Sequence, residues 1–148
     1  MTKPVSSKSF VLYADDDLDD LELVVDAFAR FSQNVEVLTY TSAVQALAYL
    51  NNLPASSPAP CLIIFDINMP LLNGKDALMQ LRLIDRFDNV PVILFSTSSL
   101  DYDRTFAKKY DAGFISKPID LQQMEKITSQ FIDHCSDETR DKIRKQIL

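Results

Sequence analysis

Two hydrophobic periods take turns along the chain. Short apolar runs at residues 9–14 (SFVLYA), 35–40 (VEVLTY), 62–65 (LIIF), 92–95 (VILF) and 112–116 (AGFIS) have the length and composition of strands. LIIF and VILF contain no polar position, the mark of strands covered on both faces, as in parallel sheets. Between the runs, apolar residues recur every three or four positions and predict helices. Leu21, Val24, Val25, Phe28 and Phe31 form one such face in 18–31, and Val44, Leu47, Ala48 and Leu50 another in 43–53. Ala77, Leu78, Leu81 and Ile84 follow in 75–84. Leu121, Met124, Ile127, Phe131 and Ile132 make the stripe of a last helix, with Asp120 as its cap. Residues 100–110 show only a thin face (Leu100, Phe106, Ala107, Tyr110), which predicts a lightly packed helix. Asp17 and Ser42 stand where N-caps are needed.

The stretches left over punctuate these elements. PASSPAP at 54–60 is barred from helix and central strand by its prolines and reads as a loop; 86–89 reads as a polar turn. Residues 1–8 form a polar tail, and 136–148 a charged extension that either lengthens the last helix or trails off. Five strands alternating with five helices imply one α/β domain over 9–135. Its expected architecture is a doubly wound, five-stranded parallel sheet with helices on both faces.

Composition narrows the function. Over 148 residues the net charge is -6, which argues against binding a nucleic-acid backbone through clustered Lys and Arg. No apolar run approaches the roughly 18 residues of a membrane span. The N-terminal segment MTKPVSSKSF has no apolar core of the signal-peptide kind, so the expectation is a cytoplasmic protein. With Gly74 and Gly113 as the two glycines, a glycine-rich phosphate cradle is excluded. Cys61 and Cys135 match no metal-ligand or redox spacing and read as two inert thiols.

Chemistry gathers where the strands end. The first strand runs into Asp15-Asp16-Asp17, the third into Asp66, the fourth into Ser96 and the fifth into Lys117. In a parallel sheet these ends share one edge, where open α/β sheets place their ligand crevice. Carboxylates that close repel one another, so positive charge must join them. Lys117 supplies part of it, and a hard divalent cation supplies the rest, Mg2+ being the best match to carboxylate oxygens and phosphate. Asp66 is then placed to act as a carboxylate nucleophile toward a phosphoryl group, with Ser96 and Lys117 stabilising the transferred oxygens. Asp15 with Asp16 is the preferred metal pair, because the strand ends at Ala14 and Asp17 serves as a cap; Asp16 with Asp17 is the alternative register.

Four segments in order carry a resemblance: the acidic pair after the first strand, DINMPLLNG at 66–74, PVILFS at 91–96 and GFISKP at 113–118. Together they resemble the response-regulator receiver domains of two-component signalling, over residues 10–135. The resemblance implies a flavodoxin-like receiver fold with strand order 2-1-3-4-5. It implies that Asp66 is the phosphorylated aspartate, that Asp15 and Asp16 hold Mg2+, and that Asn68 lends the metal its backbone carbonyl. Ser96 and Phe114 match the switch positions, Lys117 the lysine that pairs with the phosphoryl group, and Lys117–Pro118 a peptide bond that is usually cis. Thr97 departs from the small residue usual at its position, which predicts an altered phosphoryl lifetime. Phe114 lacks the hydroxyl common at its own.

The implied function is a single-domain response regulator that is not an enzyme beyond its own phosphorylation and dephosphorylation. A sensor histidine kinase or histidine phosphotransfer protein is the implied donor, and a downstream protein the implied target, with a homodimer of the active form left open. A phosphohydrolase of the haloacid-dehalogenase type would need an acid where Asn68 stands.

Overall fold

The computed structural model describes residues 8–98, 100–120 and 123–144. Strands β1 (Ser9–Ala14), β2 (Val35–Tyr40), β3 (Leu62–Phe65), β4 (Val92–Ser96) and β5 (Gly113–Ser116) form one parallel sheet in the order β2-β1-β3-β4-β5. The helices are α1 (Leu18–Phe31), α2 (Ala43–Asn51), α3 (Gly74–Arg82), α4 (Asp101–Lys109), α5 (Met124–Asp133) and α6 (Asp137–Arg144). The expected doubly wound parallel sheet and its strand order are both present.

Successive strand residues point to opposite faces, and the core divides accordingly. Val11, Tyr13, Leu62, Ile64, Ile93, Phe95 and Ile115 pack with α1 and α5, while Leu12, Ala14, Ile63, Phe65, Val92 and Leu94 pack with α2 and α3. All four residues of β3 are fully buried. At about 1.5–3 kcal/mol per large apolar side chain, this short strand contributes more than its length suggests. On the first face Phe131 stacks on Phe28 at 5.9 Å and meets Phe95 edge-on at 5.0 Å, joining α1, α5 and the sheet.

Several expectations fail locally. Helix α2 ends at Asn51, and its buried stripe is Ala43, Ala46, Leu47 and Leu50, with Val44 and Ala48 exposed. Small alanines let the helix approach the sheet closely, so the core face follows the alanines rather than the bulkier valine. The polar turn at 86–89 overlaps a 3-10 turn (Asp85–Phe87) whose Phe87 is fully buried. Helix α5 is described over Met124–Asp133; residues 121–122, which Asp120 was expected to cap, lie outside the described residues. Leu121, read as part of the helix stripe, lies outside the described residues, as do 1–7 of the polar tail and 145–148 of the charged extension.

The charged extension is neither a continuation of α5 nor a loose end over its described part. It turns at Ser136 and forms α6, which docks across the N-terminal edge of the sheet. Ser32 Oγ donates to Ile143 O at 2.6 Å, Asn34 Nδ2 donates to Lys142 O at 2.7 Å, and Ile143 is fully buried. The core therefore continues past residue 135. Among the described residues no helix is long and apolar enough to cross a membrane.

Candidate functional site

The C-terminal ends of β1, β3 and β5 bring four ionisable side chains together. Asp15 follows β1, Asp66 follows β3 and Lys117 follows β5, all on the sheet face that α1 covers. Carboxylate oxygens of Asp15, Asp16 and Asp66 lie within 4.8 Å of one another. Asp15 is fully buried and Asp66 nearly so, while Asp16 is exposed at the mouth. Asp17 is the N-cap of α1, accepting from the amides of Asp19 and Asp20. It is thereby occupied elsewhere, and the cluster has the preferred register, Asp15 with Asp16.

Asp15 is held from three sides. Tyr13 Oη donates to its Oδ2 at 2.5 Å, the Asp17 amide donates to its Oδ1 at 2.9 Å, and Lys117 Nζ donates to Oδ2 at 2.7 Å. Burial pushes the Tyr13 phenol upward, and Asp15 pushes it further, so this hydroxyl stays a donor. Lys117 also donates to Asp20 Oδ2 at 2.8 Å and lies 3.6 Å from Asp66 Oδ1. Burial opposes the Lys117 charge, but the bonds to Asp15 and Asp20, with Asp66 nearby, outweigh it and hold the ammonium above its ordinary range.

Asp66 has the reverse balance. Burial and the neighbouring Asp15 push its carboxyl up to about 7, against the pull of Lys117, and a hydrogen bond with Asp15 and the Asp16 charge add to the rise. Three acidic groups thus face one ammonium, with Asp20 claiming part of it. The donor set is oxygen only and gathered to within one ion's reach, which fits a hard divalent cation.

The loop after β3 is shaped to present Asp66. The Gly74 amide donates to Ile67 O at 2.9 Å, folding the loop back on itself. A Cβ at position 74 would sit 2.2 Å from the Asp66 carbonyl oxygen, so only glycine lets α3 start there. Asn73 caps α3 by accepting from the Asp76 amide at 2.9 Å. Leu71 takes a positive φ of 70° and is 95% exposed. Asn68 is exposed on the same loop.

The remaining expected residues sit along the neighbouring strand ends. Ser96 is fully buried; its hydroxyl accepts from the Ser98 amide at 3.2 Å, and its carbonyl accepts from the Lys117 amide at 2.8 Å. Thr97 is exposed, on the other side of the strand end. Phe114 is half-buried on the opposite face of β5, with the Arg104 guanidinium 4.6 Å from its ring centroid. The Lys117–Pro118 peptide is trans, correcting the cis expectation. A trans bond is the preferred isomer by about 0.5–1 kcal/mol, and here it already lets Lys117 reach Asp15 and Asp20.

Two contributors went unread in the sequence. Tyr13 stands two residues before Asp15, a spacing that puts both on one face of a strand. Asp20 lies in the first turn of α1 behind its cap, where it reads as a helix-dipole charge.

The sequence matches the response regulator receiver domain over residues 11–129. It is 30% identical over 135 residues to the response regulator Rre1 of Synechocystis, a match covering 89% of this chain and 53% of that protein. It is also 30% identical to the two-component response regulator ORR13 of rice, across 82% of this chain and 96% of that one. The chain thus spans about half of the cyanobacterial relative and nearly all of the rice one. Among solved structures, the phosphorylated cyanobacterial phytochrome response regulator RcpA superposes with a TM-score of 0.76 at 25% identity, covering 84% of this chain and 91% of that one. The chemotaxis regulator CheY4 of Vibrio cholerae, at 21% identity and covering 84% and 99% of the two chains, shares the fold with a TM-score of 0.70. On this evidence, sequence and fold agreeing over most of its length, the chain belongs to the response regulator receiver family.

Proposed function

We propose that this protein is phosphorylated on Asp66 by a phosphohistidine donor and passes the signal on through protein contact. The observation that carries the reading is the grouping of Asp15, Asp16 and Asp66 within 4.8 Å, with Lys117 bonded into it at 2.7 Å. One Asp66 oxygen would attack phosphorus as the donor's P–N bond breaks, and the departing imidazole keeps the electron pair and is reprotonated from solvent. A carboxylate nucleophile needs no general base. The Lys117 ammonium, 3.6 Å from Asp66, is positioned to neutralise charge on the phosphoryl oxygens, and Ser96 to donate to one of them once its hydroxyl turns from the Ser98 amide. Asp15, Asp16, Asp66 and the Asn68 carbonyl would hold Mg2+. When bound, the ion supplies the positive charge that a cluster of three carboxylates and a dianionic group require.

The rim around this pocket suits a protein partner. Leu18, Leu71, Leu100 and Ile119 are all exposed on the segments that follow β1, β3, β4 and β5. Apolar side chains ringing a polar centre form a contact surface for a histidine kinase or a histidine phosphotransfer protein. Incubation with Mg2+ and a small phosphodonor tests the reading by intact mass. The wild type is expected to gain one phosphoryl group that hydroxylamine removes, and Asp66→Asn none. A label retained by Asp66→Asn, or no label on the wild type, defeats it.

A further inference from the structure

Among the described residues, Asp103 is the one buried carboxylate outside the cluster at the strand ends; it is 4% exposed, in the first turn of α4. Both of its oxygens are engaged. Oδ1 accepts from Lys75 Nζ at 2.7 Å, and Oδ2 accepts from Ser98 Oγ at 2.6 Å. Lys75 belongs to the first turn of α3, and its ammonium also lies 4.5 Å from the Tyr102 ring centroid, which holds it against α4. An apolar side chain at 103 would pack α4 against α3 without the cost of burying a charge. What it would lack is a bond to Ser98.

Ser98 joins this pair to the site. Its amide donates to Ser96 Oγ at 3.2 Å, while its hydroxyl, besides donating to Asp103, accepts from the Leu100 amide at 3.3 Å. Leu100 stands before α4 without a capping side chain, so the Ser98 hydroxyl serves the start of that helix. Lys75, Asp103, Ser98 and Ser96 thus form one series of hydrogen bonds, no link longer than 3.2 Å, from α3 through α4 to the fully buried hydroxyl at the end of β4. Its strongest links are the two on the Asp103 carboxylate, where charge assists the bond. Its weakest is the neutral contact of the Ser98 amide on Ser96.

We propose that Asp103 is a positioning residue for phosphorylation of Asp66, acting through Ser98 to hold the Ser96 hydroxyl in its resting orientation. The inference rests on the phosphoacceptor reading of Asp66 and names residues that set the rate of that step. To donate to a transferred phosphoryl oxygen, the Ser96 hydroxyl turns from the Ser98 amide. With Ser98 pinned by Asp103, that amide stays where it is and loses its acceptor at a part-buried position. The penalty falls on the phosphorylated form alone. With Ser98 released, the amide follows Ser96 or reaches water, and the penalty shrinks. The series of bonds therefore opposes the change at its own end: it favours the unphosphorylated arrangement, and breaking it favours the other. A merely structural tie would act the opposite way, since loosening the segment beside the acceptor would slow the chemistry.

The test follows labelling of the full chain by a small phosphodonor with Mg2+, as an intact-mass time course, and titrates beryllium fluoride as a mimic of the phosphoryl group. Ser98→Ala keeps the amide and removes the bond to Asp103. It is expected to label on the order of fivefold faster than the wild type and to bind beryllium fluoride tighter by a similar factor. Asp103→Asn should move both readouts in the same direction. Ser98→Thr, which keeps the hydroxyl, should restore the wild-type values. In the unphosphorylated chain, Ser98→Ala should also exchange the amide hydrogen of residue 98 faster. If the wild type labels and Ser98→Ala labels no faster, or Ser98→Thr labels as fast as Ser98→Ala, this inference is overturned and the phosphoacceptor reading stands. A wild type that takes no label overturns both. Ser98→Ala changes a half-buried loop position and decides the matter even where Asp103→Asn fails to fold.

Discussion

Lys117 Nζ donates to Asp15 Oδ2 at 2.7 Å and stands 3.6 Å from Asp66 Oδ1, so the ammonium's main partner at rest is Asp15, not the carboxylate assigned to the chemistry. Asp15 is fully buried and draws its charge balance from this one lysine, aided by Tyr13 and the Asp17 amide. Lys117→Met should therefore weaken folding as well as phosphorylation. Stripping a buried carboxylate of its cation costs about 3 kcal/mol. Denaturant melts should register that loss, and a phosphodonor time course should fall by on the order of 100-fold. Asp20→Asn removes a partner with 28% of its side chain exposed and should change stability by less than about 1 kcal/mol.

Asp66 destabilises the fold it serves. With its carboxyl raised to about 7, the folded protein keeps a proton that the unfolded chain releases near pH 4. Between those values the native state binds more protons, so the Asp66 contribution to stability falls as pH rises, and its cost is complete above about pH 7. The groups facing it are Asp15 and Asp16 after β1 and Lys117 after β5. Asp66→Asn should thus stabilise the fold at pH 8 in the presence of a chelator by on the order of 2 kcal/mol, read as a higher melting temperature. The gain should shrink toward pH 4, and divalent cations should narrow it by stabilising the wild type. A melting series over pH with and without Mg2+ measures both effects.

Gly74→Ala should misplace the acceptor loop. The added Cβ would meet the Asp66 carbonyl oxygen at 2.2 Å, and that oxygen belongs to the backbone, which cannot swing aside as a side chain does. The expected loss is about 1–3 kcal/mol of stability together with slower labelling of Asp66. Labelling at the wild-type rate in the folded variant would show that the loop yields without consequence for the site.

How far the sequence foretold these features follows from where burial is two-sided. LIIF and VILF are apolar throughout because helices cover both faces of the sheet, so the strands, and with them the positions of Asp66 and Ser96, could be read directly. Asp15 and Asp16 could be placed because Asp17 was the better cap, and the structure uses it so. The docking of α6 could not be read, because its one buried apolar residue is Ile143 and its other ties are hydrogen bonds, from Ser32 and Asn34 to its backbone carbonyls and from Arg144 to Asp133, which leave no periodic signal.

Helix α4 was expected to be lightly packed, and by apolar contact it is, with Ala107 its one buried apolar residue. What holds its start is polar. Asp103 is 4% exposed, and its carboxylate accepts from Lys75 at 2.7 Å and from Ser98 Oγ at 2.6 Å, tying the first turn of α4 to α3 and to the segment after β4. Lys75, at the wrong end of α3 for the helix dipole, gains its balance from this bond. The Lys75 and Ser98 bonds hold the Asp103 carboxyl below its usual range despite burial. A depressed value means that its contribution is present above about pH 4 and lost as pH falls through the lowered value. Asp103→Asn should cost about 2 kcal/mol at pH 7, and less in acid. Hydrogen exchange should localise the loosening to α4 and the residues just before it.

Strand β3 carries a distinct group at each end, Cys61 packed against the cluster under α1 and α5 and Asp66 beside Asp15, with four buried residues between. Its sequence is therefore open to exchange while its length is not. Valine for isoleucine at 63 or 64 would leave both ends in place. One residue gained or lost would turn the side chains of one half to the wrong face and strand one terminus or the other away from its counterpart. The segment behaves as a spacer of fixed measure, tolerant of substitution and intolerant of insertion.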